Sequence, residues 1–182
     1  NISDYRILQN MAEYLMDNIS NISSPNNIAN ILTSNKVSIS HVTTSRYINF
    51  LCNAFLFYKA DRYDIRGKKY LESLNKYYLV DTGIRYAILG KRNVDWGRVY
   101  ENIVYIELLR RNYRVYIGKL YQKEVDFVAM KSNEKMYIQV CDNITDENTF
   151  SRETTPLLQI HDAYLKIIIA RTKHDDYDYQ GI

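Results

Sequence analysis

A chain of 182 residues can build one ordinary domain or two small ones. With 46% hydrophobic and 25% charged residues it is globular rather than disordered, and six Gly and two Pro leave no long flexible linker. A net charge of +3 permits nucleic-acid binding without arguing for it, and the two cysteines, Cys52 and Cys141, lie outside any CxxC or Cys/His spacing, which speaks against a disulfide scaffold or a zinc site.

Residues 4–19 carry Ile7, Leu8, Met11, Leu15 and Ile19 at helical spacing. Ser24 then caps, and Pro25 opens, a second helix with Ile28, Ile31 and Leu32 on one face. Thr43 or Thr44 caps a third, which turns Tyr47, Ile48, Leu51 and Phe55 inward. Two strands follow around the turn DIRGKK. Three helices and a hairpin are the order of a winged helix, in which the third helix enters the major groove and the hairpin touches the backbone. The candidate nucleic-acid contacts are Arg46 and Asn49 on the third helix and Arg62, Arg66, Lys68 and Lys69 on the hairpin; a merely solvated face is the alternative. In DTG, residues 81–83, Asp81 caps a short helix, because an aspartic protease needs a second carboxylate in an all-β frame.

The second half begins near Gly90–Trp96, giving domains 1–90 and 91–182. A strong helix, GRVYENIVYIELLRRNY, carries the exposed i, i+4 pair Glu107 and Arg111. YRVYIGKL, EVDFVAM and KMYIQVC are strands. TPLLQIHDAY reads as a helix opened by Thr155 and Pro156, and LKIIIAR as a fully buried strand, completing the order α-β-β-β-α-β. The predicted class is therefore α+β or α/β, with a mixed sheet in the second domain.

Within this order Glu101 shares a helical face with Val104 and Leu108 and points inward. Asp126 lies on the strand face opposite Val125 and Phe127, and Gln139 and Cys141 share a face opposite Met136, Ile138 and Val140. A buried carboxylate requires a cation or hydrogen bonds. A helix Glu, a strand Asp and a Glu-x-Lys on the next strand are the pattern of the PD-(D/E)XK nucleases, in which carboxylates hold Mg²⁺. Here the third element reads Gln139-Val140-Cys141, so an amide replaces the carboxylate and a thiol the Lys. Glu101 and Asp126 with the Val140 carbonyl could hold Mg²⁺ only weakly, and Lys123 falls on the wrong face of a regular strand to replace the Lys. The bland alternative pairs Glu101 with Arg98 or Arg114, and Asp126 with Lys123 or a buried Tyr.

The Gly97, Glu101-Asn102 helix, LLRRNYRVYIGK, KEVDFVA, YIQVC, Arg152-Glu153 and IHDAYLK, together with the joining segment YYLVDTGIRYAILG, resemble the C-terminal domain of unknown function of prokaryotic AAA+-type ATPases. The resemblance covers roughly residues 40–170. It implies a winged helix followed by a restriction-endonuclease-like domain, a nuclease-like site at Glu101, Asp126 and Gln139 with Cys141 at the Lys position, and a P-loop ATPase in an N-terminal part. GxxxxGK[ST] does not occur in this sequence, so ATP would bind only in that other part.

The chain starts with Asn and ends abruptly in DYDYQGI, as would a piece of a longer protein. With no signal peptide, and no apolar run near the ~18 residues of a membrane span, the expected compartment is the cytoplasm and no membrane partner is expected. The leading expectation is a DNA-binding module of nuclease-like fold attached to its own ATPase domain, with cleavage lost or very weak. The alternatives are a weak Mg²⁺ or Mn²⁺ nuclease and a protein-interaction module regulating the ATPase.

Overall fold

A computed structural model describes residues 5–91, 94–172 and 175–182. Asp4, the expected first residue of the first helix, and residues 92–93 of the expected domain junction lie outside the described residues. The order is α1 (Tyr5–Asp17), α2 (Pro25–Ser34), α3 (His41–Asn53), β1 (Phe57–Asp64), β2 (Lys69–Leu79), α4 (Thr82–Leu89), α5 (Trp96–Arg110), β3 (Arg114–Leu120), β4 (Lys123–Lys131), β5 (Glu134–Cys141), α6 (Glu147–Leu158) and β6 (Leu165–Ala170). The protein is α+β with one mixed six-stranded sheet in the order β2-β1-β3-β4-β5-β6. The β1–β3 and β5–β6 pairs are parallel, and the others antiparallel. The sheet takes strands from both sides of residue 90, because Arg62, Tyr63 and Asp64 of the hairpin pair with Ile117, Gly118 and Lys119 of β3.

The helix starts follow local capping. The Ser24 hydroxyl accepts from Asn27 N–H with Pro25 opening α2, and Asp81 and Asp95 accept from Gly83 and Arg98 N–H to start α4 and α5. Expectations for α3, α6 and β6 are corrected. Ser40, not Thr43 or Thr44, caps α3: its hydroxyl accepts from Thr43 N–H, and Thr44 lies buried within the helix. Phe55 is 70% exposed and not inward, because α3 ends in a Schellman turn. Phe55 N–H donates to the Cys52 carbonyl, Leu56 N–H donates to the Leu51 carbonyl, and Phe55 takes the left-handed conformation at φ 55°. The last helix does not open at Thr155; it starts from Asp146, whose carboxylate accepts from Thr149 N–H, and carries Pro156 near its end. Finally, β6 is not fully buried. As an edge strand it leaves Leu165 and Ile169 exposed, while Ile167 and Ile168 are only partly covered, one on each face of the sheet.

Three apolar clusters fill the interior. One joins α1, α2 and α3 to the near ends of β1 and β2 through Met11, Leu15, Ile28, Tyr47, Ile48, Phe57 and Leu79. A second, with Tyr78, Tyr105, Leu108, Phe127 and Ile138, lies under α5, and a third, with Val125, Val128, Tyr137 and Leu157, lies under α6. Two irregularities of the sheet position the site. Ala60 pairs with Lys76 but Arg62 with Leu71, so β2 leaves the ladder over residues 72–75. There Asn75 exchanges backbone hydrogen bonds with Ser23 and donates its side-chain amide to Asp61. Tyr116 pairs with Val128 but Gly118 with Val125, so one residue of β3 faces two of β4, Asp126 and Phe127. This bulge corrects the expected alternation: Val125 joins the α6 cluster and Phe127 the α5 cluster.

Candidate functional site

Strands β4 and β5 pair from Lys131↔Glu134 as far as Phe127↔Ile138, and then part while β5 continues along β6 to Cys141. The orphaned backbone groups in this fork are met by side chains of the opposite strand. Asp126 N–H donates to Gln139 Oε1 (2.7 Å), and Val140 N–H donates to Asp126 Oδ2 (2.8 Å). Gln139 Nε2 donates onward to Glu153 Oε2 (3.0 Å), and Arg152 donates to Glu153 Oε1. The fork thus ties β4 and β5 to α6, and Gln139 spends both ends of its amide in doing so.

On the α5 side, Glu101 Oε1 accepts from the Tyr78 hydroxyl (2.6 Å) and from Lys76 Nζ (2.9 Å). Lys76 Nζ is also 2.6 Å from Glu124 Oε1, and the Lys76 side chain is only 4% exposed. The Tyr78 ring is held by stacking on Tyr105, with centroids 4.0 Å apart. One helix position on, Asn102 Oδ1 accepts from Leu79 N–H (2.7 Å) and Asn102 Nδ2 donates to the Leu79 carbonyl (2.8 Å), which clamps α5 to the end of β2. The Glu101 to Asn102 pair therefore sets the distance between α5 and the strand that delivers Lys76.

The charges follow from this burial. Burial pulls the Lys76 ammonium down, but Glu101, Glu124 and Asp126 outweigh it and hold it above its ordinary value. Burial pushes the Glu101 carboxyl up, against the pull of the Lys76 ammonium and the hydrogen bonds from Tyr78 and Lys76. Asp126 is pushed well above the usual carboxylate range by burial and then by the charge of Glu101, against the pull of Lys76 and of Val140 N–H. Cys141 is pushed up to about 11 by burial, with Glu153 and Asp126 adding to it, which keeps the thiol protonated at neutral pH.

Beside the fork opens a cleft of about 600 Å³ lined by Lys123, Glu124, Asp126, Gln139, Arg152 and Glu153, with Asn148, Ser151, Thr155 and Pro156 on the α6 side. Lys123, expected on the far face, reaches this cleft. The structure thus brings Glu101, Asp126 and Gln139 to one place from a helix and two strands. Glu101 pairs with Lys76 and Tyr78, and not with Arg98 or Arg114. Asp126 accepts from the backbone of Val140, and not from Lys123 or a Tyr. Sequence reasoning missed Lys76, Glu124 and Glu153. The legible signal for Lys76 was a lysine two positions before a buried tyrosine in an otherwise apolar strand end.

A divalent cation does not fit these side chains as they stand. Glu101 Oε1 is taken by two donors, Asp126 Oδ2 by the Val140 N–H, and the Gln139 amide by Asp126 and Glu153. Among the described residues, no group of three His, Cys, Asp or Glu is arranged to hold a metal.

The candidate nucleic-acid residues fall in two places. Arg66, Lys68 and Lys69 are exposed at the β1–β2 turn, and the Arg66 guanidinium lies 4.9 Å from the ring centroid of Tyr121 in the β3–β4 turn. That end of the sheet also carries Lys119 and Lys123, so it is basic and adjoins the cleft. Arg62 is half-buried in mid-strand. Arg46 and Asn49 are exposed on α3, which enters β1 from the opposite end of the hairpin.

The profile of DUF8612, a domain of unknown function, matches residues 1–95 of the 182. The chain belongs to DUF8612. The match takes in α1 to α4 and the β1–β2 hairpin, hence Lys76, and ends at Asp95, before α5. An uncharacterized protein of Haemophilus influenzae is 46% identical over 181 residues, covering 100% of this chain and 44% of that protein. Uncharacterized protein MJ1544 of Methanocaldococcus jannaschii is 28% identical over 152 residues, covering 81% of this chain and 33% of that protein. The chain thus spans less than half the length of the curated relatives it matches. No solved structure matches it. No helix of the described residues is long and apolar enough to cross a membrane.

Proposed function

We propose that this chain is a DNA-binding module of nuclease-like fold in which phosphodiester cleavage has been lost, carried by a P-loop ATPase and working in the cytoplasm. The observation that carries the reading is the fork between β4 and β5, where Glu101, Asp126 and Gln139 meet from three elements beside a basic sheet end. Support for the fold comes from the order α5-β3-β4-β5-α6-β6, and for a winged helix from α1 to α3 followed by the β1–β2 hairpin, here built into the larger sheet. The unmatched length of the relatives leaves room for an ATPase domain. Metal-dependent cleavage has less support, because the carboxylates already hold an ammonium and backbone donors.

The test is gel-shift binding of duplex DNA at low salt, together with incubation of plasmid DNA with Mg²⁺ or Mn²⁺. Binding without nicking is expected, and binding weakens in the triple variant Arg66→Ala, Lys68→Ala, Lys69→Ala. Absence of binding at low salt overturns the DNA reading, and nicking abolished by Asp126→Ala overturns the loss of cleavage. A protein-interaction module regulating the ATPase is the second reading. It is favoured by the half-exposed Trp96, stacked on Tyr100 and tilted against Tyr86, and by the exposed Ile88 of α4 and Ile103 of α5.

A further inference from the structure

We propose that Lys76 is the resident cation of this site: its ammonium takes the place of a divalent ion between Glu101 and Glu124 and next to Asp126, so the native site is closed to Mg²⁺ and Mn²⁺ and opens to them only when the ammonium is removed. The proposal rests on the nuclease-like reading of the site, but not on DNA binding.

The acidic cluster is not bare, since a positive charge already sits in it. Lys76 Nζ lies 2.9 Å from Glu101 and 2.6 Å from Glu124, which come from α5 and β4. An ammonium is a compact point charge on a flexible stem, so it can stand at a place that a small hard cation would otherwise fill with oxygen ligands. The fit is enforced from behind. Residues 72–75 leave the β1 ladder, and Asn75 is pinned by two backbone hydrogen bonds to Ser23 and by its amide to Asp61, so the strand re-enters with Lys76 aimed at the cluster. Asn102 clamps Leu79 and fixes the same strand against the helix that carries Glu101. With 4% of its side chain exposed, Lys76 cannot swing out to admit a metal without breaking both pairs. The Tyr78 hydroxyl occupies a further acceptor site of the same Glu101 oxygen. The lysine on the third strand of metal-dependent nucleases, absent here at Cys141, is thus not replaced in its own role. The lysine that is present enters from the hairpin and neutralises the carboxylates instead.

The deciding experiment is calorimetric titration of Mn²⁺ and Mg²⁺, without DNA, into the native chain, Lys76→Ala, and Lys76→Ala combined with Glu101→Gln. Thermal melts are run with and without Mn²⁺. The native chain is expected to give no one-to-one binding at millimolar metal and an unchanged melting temperature. Lys76→Ala binds one Mn²⁺ at least about tenfold tighter than the native chain, its melting temperature rises with Mn²⁺, and Glu101→Gln abolishes both effects. A Lys76→Ala chain that folds only with Mn²⁺ also upholds the proposal. One-to-one metal binding by the native chain as tight as by the variant overturns it. So does a folded Lys76→Ala that binds no metal, or one that stays unfolded at millimolar Mn²⁺. Because DNA is absent, failure of the DNA reading leaves these outcomes unchanged.

Discussion

Replacing Lys76 by Met keeps the length and apolar stem of the side chain and deletes only the ammonium. The structure sets the size of the effect. Lys76 and Glu101 are both buried, so little solvent is at hand to take over the stranded charge, whereas Glu124 is partly exposed and keeps some hydration. Glu101 would remain with the Tyr78 hydroxyl as its one donor. Removing one partner of a buried ion pair costs about 3–5 kcal/mol, and in a chain of this size each kcal/mol moves the melting temperature by about 2–4 °C. Lys76→Met should therefore melt about 6–20 °C below the native chain at neutral pH. The loss also depends on pH. Burial already raises Glu101, and without Lys76 its folded value rises further above the unfolded one. A raised carboxyl stabilises fully below its unfolded value and loses that contribution as pH rises through the folded value. The deficit should accordingly shrink toward pH ~4 and be greatest at neutral pH and above. Adding Glu101→Gln should recover part of it. The assay is calorimetric or circular-dichroism melting over this pH range. A Lys76→Met chain that melts within about 2 °C of native at neutral pH, or a double variant that falls further than the single one, would refute the buried ion pair.

Other consequences concern the groups around it. Asp126→Asn should match the native chain near pH ~4 and exceed its stability at pH 8, because the native carboxyl is raised and loses its contribution as pH rises, while an amide oxygen can still accept from Val140 N–H; equal melting curves at pH 8 would contradict this. Asn102→Ala should lose about 2–4 kcal/mol, as it orphans both the buried N–H and the carbonyl of Leu79, and denaturant melts would report it. Phe55→Gly should gain about 1 kcal/mol, since an exposed phenylalanine now pays for a left-handed conformation that glycine adopts freely; a lower melting temperature would show that the ring packs usefully.

The local parts of the fold were legible in the sequence because their causes are local. Ser24 with Pro25, and Asp81, announce helix starts within a few residues, and the i, i+3, i+7 spacing of Glu101, Val104 and Leu108 predicts the burial of Glu101. What escaped depends on distant partners. The run LKIIIA reads the same in a central strand as at a sheet edge, and only the order of strands shows that β6 has one neighbour. Asp126 and Val125 read as strict alternation because the bulge that sets Asp126 and Phe127 of β4 against the single Ile117 shows only once β4 is paired with β3. Lys76 was missed as a site residue for the same reason: it lies 25 positions before Glu101, in a hairpin whose role in the second sheet half is set by the parallel β1–β3 pairing. Lys123 lies close to Asp126 in sequence, but the lysine that reaches Glu101 and Glu124 comes from β2.

The most direct test of the proposed function is the salt dependence of duplex DNA binding, measured by fluorescence anisotropy on the native chain and on the triple variant at 66, 68 and 69. If the basic sheet end of Arg66, Lys68, Lys69, Lys119 and Lys123 grips phosphates, log K should fall with log salt at a slope of about −4 to −5, and the triple variant should keep a slope of only about −2. A slope near zero in the native chain, or one that the three substitutions leave unchanged, would contradict the account.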